Sequence, residues 1–129
     1  MALTAEERAF FEETVAKIKY SVNCWVPVEV MDHETLKGRG KNALGICWVE
    51  DDGNGKPEPF KITIDEYFIH ECYATLNESY MKVEPEPLEE VIAHEIAHLR
   101  YRRHGKKHTE LTQHICKLIA AGKPHGIAA

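Results

Sequence analysis

Two histidines and a glutamate, in the order His94-Glu95-Ile96-Ala97-His98, are the residues of this chain whose types and spacing suit chemistry. On a helix each residue advances by about 100°, so His94 and His98 stand one turn apart on one side. Two imidazoles so placed reach a single metal ion. Glu95 projects from the neighbouring side, where its carboxylate can hold a water at the metal without being a ligand. This is the HExxH arrangement, and its mechanics are those of zinc-dependent hydrolysis. The plainer alternative is a surface helix that happens to carry these residues. Three features of the context argue against it: a predicted helix, an apolar stripe beside the motif, and a further histidine, His104, just downstream.

A catalytic zinc takes three protein ligands and leaves one position open. Beyond His94 and His98 the chain offers His104, His108, Glu110 and His114. The segment between His98 and His104 is long enough to leave the helix and turn a histidine back over the metal. Gly105 is expected to ease that turn by adopting a positive φ. His104 is the preferred third ligand, with Glu110 the alternative from a later helix and His108 the substitute if the loop is longer. Otherwise His108 and His114 read as supporting or solvated groups.

The stretch HEIAHLRYRRHGKKH (residues 94–108) resembles the core of the SprT-like metallopeptidases, in which HExxH is followed by a histidine in an H-G-x-x-aromatic segment. It is similar also to related small zincins with a histidine at the same remove. Carried over by position, the resemblance implies Zn2+ held by His94, His98 and His104, Glu95 as general base, and a protein or peptide substrate. His108 stands where that family has a bulky aromatic. The cysteine-rich zinc ribbon that often follows the core is absent, as is an evident DNA-binding extension, so a role in DNA–protein crosslink repair is not carried over. The metzincins share the histidine spacing, but they need glycine where this chain has Tyr101 and a methionine after the third histidine. Here Met1, Met31 and Met81 all precede it.

The implied reaction is hydrolysis of a peptide bond, with Glu95 taking a proton from water and passing it to the leaving amine. Zincins commonly pair an edge strand with an extended substrate, and Phe60 to Ile64 is the expected edge here. Tyr101, His108 and His114 are candidates for a further donor to the tetrahedral intermediate. Two other classes compete: a zinc-dependent hydrolase of a non-peptide substrate, and a non-catalytic interaction module stapled by zinc. The intact Glu95 weighs against the second, because a structural site has no use for that base.

Composition sets the frame. The 129 residues suit one domain with one core, read as 1–129, and the 43% hydrophobic and 29% charged content is that of an ordinary globular protein. A net charge of −5 argues against a general nucleic-acid binder. Against that background Arg100, Arg102, Arg103, Lys106 and Lys107 form a basic cluster, expected to be a solvated face; docking onto an acidic or nucleic-acid-bound substrate is the weaker alternative. No apolar run is long enough for a bilayer, and the acidic, amphipathic beginning is unlike a secretory signal. Cys24, Cys47, Cys72 and Cys116 form no CxxC pair and read as small buried hydrophobes in a reducing, cytoplasmic setting.

The elements that must position the motif follow from periodicity, and together they predict an α+β, zincin-like domain. Thr4 and Glu7 make a capping box for a helix over 5–20, with Phe11, Val15, Ile18 and Val22 inward. Strands are expected over 25–30, 43–50 and 60–65, joined by polar, glycine-bearing connections at 33–42 and 51–59 into a short antiparallel three-stranded meander. A helix from Glu66 to near Ser79 should bury Ile69, Cys72, Tyr73, Leu76 and Tyr80. It carries His70 as an ordinary residue, since Ala74 stands where a second motif histidine would be. Pro87 opens the central HExxH helix, with Leu88, Ile92 and Leu99 as its apolar stripe and an end before Gly105. A closing helix over 107–121 should turn Leu111, Ile115 and Leu118 inward, with Gly122 and Pro124 as its stop and a loose tail after it.

Overall fold

The computed structural model describes residues 2–34, 43–51, 53–76 and 85–126. In chain order the elements are α1 (Ala5–Ser21), β1 (Val28–Met31), β2 (Gly45–Asp51), β3 (Pro57–Asp65), α2 (Glu66–Thr75), α3 (Pro87–Ala97) and α4 (Lys106–Ala121). The class is α+β, compatible with a small zincin-like domain.

Helix α1 begins as its capping box requires. The Glu7 N–H donates to Thr4 Oγ1 at 3.1 Å and the Thr4 N–H donates to Glu7 Oε1 at 2.8 Å. Phe11, Ile18 and Val22 are buried along one side, with Val15 partly so. On α3, Leu88, Ile92, Ala93, Ile96 and Ala97 are buried, and Lys17 reaches across to Glu89 at 2.7 Å. One hydrophobic cluster takes side chains from Leu3 to Ile119 and includes Ile62, Ile64 and Ile69. The site helix therefore stands with its apolar side fixed in the core and its histidine side facing out.

The sheet is mixed and not the expected antiparallel meander. β1 pairs with β3 in parallel, Val28 opposite Ile62 and Met31 opposite Asp65. β2 pairs with β3 antiparallel, Gly45 opposite Ile64 and Asp51 opposite Pro57. The order is β1-β3-β2, so the Phe60–Ile64 stretch expected at an edge lies in the central strand. Burial is the reason: Ile62, Thr63, Ile64 and Asp65 are all buried, as in a strand covered on both faces. The polar pair among them is satisfied internally. Trp48 Nε1 donates to Thr63 Oγ1 at 2.7 Å, while Asp65 caps α2 and meets His33 Nδ1 at 2.9 Å.

Several boundaries also move. β1 starts at Val28, because Pro27 has no N–H and contributes only its carbonyl, which accepts from the Ile62 N–H at 2.9 Å. α2 ends at Thr75, capped by Leu76; Tyr73 and Leu76 are exposed, and Ser79 and Tyr80 lie outside the described residues. α3 stops at Ala97, well before Gly105: the His98 N–H and the Leu99 N–H bond three residues back, to Glu95 O at 3.1 Å and Ile96 O at 2.9 Å, a tightened final turn. On α4 Leu118 is exposed and Ile119 is the inward residue. The chain after α4 is held at His125, whose N–H donates to Tyr20 O at 2.9 Å; 127–129 lie outside the described residues. So does 35–42, the greater part of the connection after β1. Only Cys72 is fully buried, the other cysteines being half-buried, and all four are free.

Candidate active site

The last turns of α3 and the segment leading into α4 bring three imidazoles to one point. His94 Nε2 and His98 Nε2 each lie 3.0 Å from His104 Nε2. Zinc–nitrogen bonds of about 2.0–2.1 Å in tetrahedral geometry place ligand nitrogens about 3.3 Å apart, so this convergence fits one ion with little adjustment. The tautomer is set for it as well. His98 Nδ1 lies 2.9 Å from Tyr101 O, a bond that requires the proton on Nδ1 and leaves Nε2 with a free lone pair. Burial, then the neighbouring His108, His98 and His104, push the His94 pKa down to about 4, and burial also lowers that of His98. Both rings are therefore neutral, as ligands must be.

His108 is not a solvated group. It is buried in the first turn of α4, with Nε2 2.9 Å from His94 O. Its ring lies 4.1 Å from that of His98, tilted by 30°, and 4.4 Å from that of His94, edge-on. It thus fills the space under the other rings, the place an aromatic takes in the SprT-like pattern. One of its ring nitrogens also comes within 4.8 Å of the nitrogens of the other three histidines. Glu110 is elsewhere, exposed and 3.8 Å from Lys106 Nζ, and His114 is exposed on α4. Gly105 does not use a positive φ: at φ −161° it is extended backbone capping α4, and the return of His104 follows from the chain path alone.

Glu95 points the other way round the helix, toward β2. It is buried, and burial pushes its pKa up to about 7, against the pull of a hydrogen bond from the Cys47 backbone N–H. Gly45 makes that approach possible. A Cβ there would stand 3.1 Å from Glu95 Cγ, 3.3 Å from Glu95 Oε2 and 3.0 Å from Ile64 Cδ1. Sequence reasoning passed over Gly45; the available signal was a lone glycine in a strand, which marks a close approach.

A cavity of about 920 Å³ runs between α3 and β2, with Leu44, Ile46 and Val49 on one wall and His94, Glu95 and His98 on the other. The edge strand beside the histidines is β2. Tyr101, His108 and His114, the expected further donors, do not line this cavity, whereas Arg102 does.

Residues 71–121 match the family model described as YgjP-like, metallopeptidase domain. That stretch holds Glu95 and all of the clustered histidines. The SprT-like small-zincin character read from the motif is borne out there, and at family level the segment is that of a metal-dependent peptidase. No curated protein and no solved structure matches the chain. Among the described residues no helix is long and apolar enough to cross a membrane.

Proposed function

We propose that this protein is a zinc metalloendopeptidase in which His94, His98 and His104 hold the ion and Glu95 is the general base. The observation that carries the reading is the convergence of three imidazoles, with His94 Nε2 and His98 Nε2 each 3.0 Å from His104 Nε2, one residue away from a buried carboxyl that accepts from the Cys47 N–H. Zinc, when bound, supplies Lewis-acid activation of water and of the scissile carbonyl. The rest is done by the chain. Glu95, oriented by the Cys47 N–H, takes the proton from water and returns it to the leaving amine. The Tyr101 carbonyl holds the His98 ring, and His108 packs beneath it. The exposed edge of β2 offers backbone groups to an extended peptide, a role moved here from β3. We further read 1–129 as one domain in the cytoplasm, where half-buried free cysteines persist.

A second reading has one observation behind it: the proximity of His108. Four histidine ligands would close the coordination sphere, as in structural sites, and would favour the zinc-stapled interaction module. Its Nε2 is engaged with the His94 carbonyl at 2.9 Å, which favours the supporting role instead.

The test is metal analysis of the full chain beside proteolysis of a denatured protein and of the chain itself. About one zinc per chain is expected, with cleavage abolished by chelation and restored by zinc. A chain that retains zinc and hydrolyses no peptide bond sinks the peptidase reading and leaves the interaction module.

A further inference from the structure

We propose that the basic surface beside the histidines receives carboxylate side chains of the substrate, so that the enzyme selects peptides with an acidic stretch on the Arg102 side of the scissile bond. This names the substrate class and rests on the peptidase reading above.

Five of the chain's 16 basic residues fall within 100–107, so the local field is positive although the net charge is −5. Arg100, Arg102, Arg103, Lys106 and Lys107 line an open cavity of about 470 Å³. Arg102 lines both that cavity and the catalytic cleft, so the basic surface and the cleft meet at this side chain. The positive charge is available. All five side chains are exposed, and among the described residues only Lys106 has a carboxylate partner, the exposed Glu110 at 3.8 Å.

The cleft is also polarised. Glu90 lines it as well, two helical turns before His98 and so about 12 Å from it along the axis. One end of the cleft attracts carboxylates and the other repels them, giving a peptide a preferred direction. Leu44, Ile46 and Val49 lie between and suit apolar residues near the scissile bond. Arginine is the side chain best shaped for a carboxylate, which it binds with two parallel hydrogen bonds. A nucleic acid fits less well: it tracks phosphates over a long basic surface, whereas this patch is confined to one segment of an acidic protein.

Three short labelled peptides with the same apolar centre, flanked by glutamates, glutamines or lysines, test this on the zinc-loaded full chain. At low ionic strength kcat/KM for the glutamate peptide should exceed that for the glutamine peptide by about tenfold, and the ratio should shrink as salt is raised. In Arg102→Gln/Arg103→Gln/Lys107→Gln the ratio should fall toward one, and Arg102→Glu/Arg103→Glu should turn the preference to the lysine peptide. Fluorescence anisotropy of the same peptides gives a readout that does not depend on turnover. Equal cleavage of the three peptides by the parent overturns the proposal and leaves the peptidase reading standing. Salt-sensitive binding of the glutamate peptide without cleavage sustains the acidic site and sinks the peptidase reading. Displacement of bound glutamate peptide by an equal concentration of single-stranded DNA, with a steeper salt slope, overturns the proposal in favour of nucleic acid.

Discussion

The dipeptide His-Glu occurs in both α2 and α3, and its surroundings in those two helices differ. In α2, His70-Glu71 lies on a helix with Ala74 one turn on. His70 Nδ1 contacts the Glu7 carboxylate of α1 and Glu71 is exposed. In α3, His94-Glu95 has His98 one turn on, His104 returned to 3.0 Å and His108 beneath, and its glutamate is buried against β2. The pairs differ in what surrounds them. A partner carboxylate makes His70 half of a tie between helices. Three neighbouring imidazoles suit His94 to the ligand role proposed for it, and burial against β2, whose Gly45 lets the strand come close, pushes the Glu95 pKa up to about 7.

The sharpest way to break that comparison is to remove each glutamate. Glu95→Gln keeps size and hydrogen bonding but loses the base, and general-base catalysis contributes about 10²–10⁴-fold. Hydrolysis should fall by that much while zinc content and Tm stay near those of the parent. Glu71→Gln should leave hydrolysis unchanged. A Glu95→Gln protein that cleaves as fast as the parent ends the assignment.

Removing histidines comes next. His104→Ala should weaken zinc binding by about 100-fold or more, beyond the 10–100-fold typical of changes to groups that only support ligands. His70→Ala should leave metal affinity alone. His108→Phe sharpens the distinction, since a phenyl ring fills the same buried space without a nitrogen. Retained zinc marks His108 as support, and a loss matching that of His104→Ala marks a closed four-histidine site. Isothermal titration with zinc into the stripped protein reads all three.

A smaller effect is expected at Gly45. Its added Cβ in Gly45→Ala meets Glu95 Cγ at 3.1 Å and Ile64 Cδ1 at 3.0 Å, so the carboxylate must shift by a few tenths of an ångström. Misplacement of a catalytic group by about 1 Å costs about 10²-fold, and a tenfold loss of kcat is expected for this lesser shift. The change should add almost nothing in a Glu95→Gln background, because coupled residues are non-additive. Full additivity would show that Gly45 acts on the fold and not through Glu95.

The α3 site was far more legible than the sheet that frames it. Helical spacing fixes His94 against His98, and the segment to His104 is short, so local geometry nearly determines where those rings meet. Strand alternation carries no such information about neighbours. The pattern Phe60, Ile62, Ile64 is the same whether β3 is an edge or the centre, and Thr63 and Asp65 look solvent-facing until Trp48 and His33 are seen to satisfy them. The parallel pairing of β1 with β3 is a long-range choice that no turn residue announces. For His108 the choice between a supporting and a solvated group stayed open for a related reason: an imidazole reads as polar, and its burial depends on a carbonyl of α3 that sequence does not display. Leu118 and Ile119 are adjacent, and a phase error of one residue exchanged them.

The smallest expected effect separates charges that build the fold from charges that serve the site. In Arg102→Gln/Arg103→Gln/Lys107→Gln the altered side chains are exposed and have no carboxylate partner among the described residues, so stability should change by less than about 0.5 kcal/mol. Lys17→Met is the contrasting case. Its partner Glu89 is only 8% exposed, at 2.7 Å, and losing the ammonium leaves a buried acceptor with a poorer partner, at a cost of about 1 kcal/mol. Urea denaturation of the two variants beside the parent measures the difference. A loss for the triple variant as large as that for Lys17→Met would mean that the basic segment is held in place by its charges, and the patch beside α3 would then be scaffold and not a surface free to select substrate.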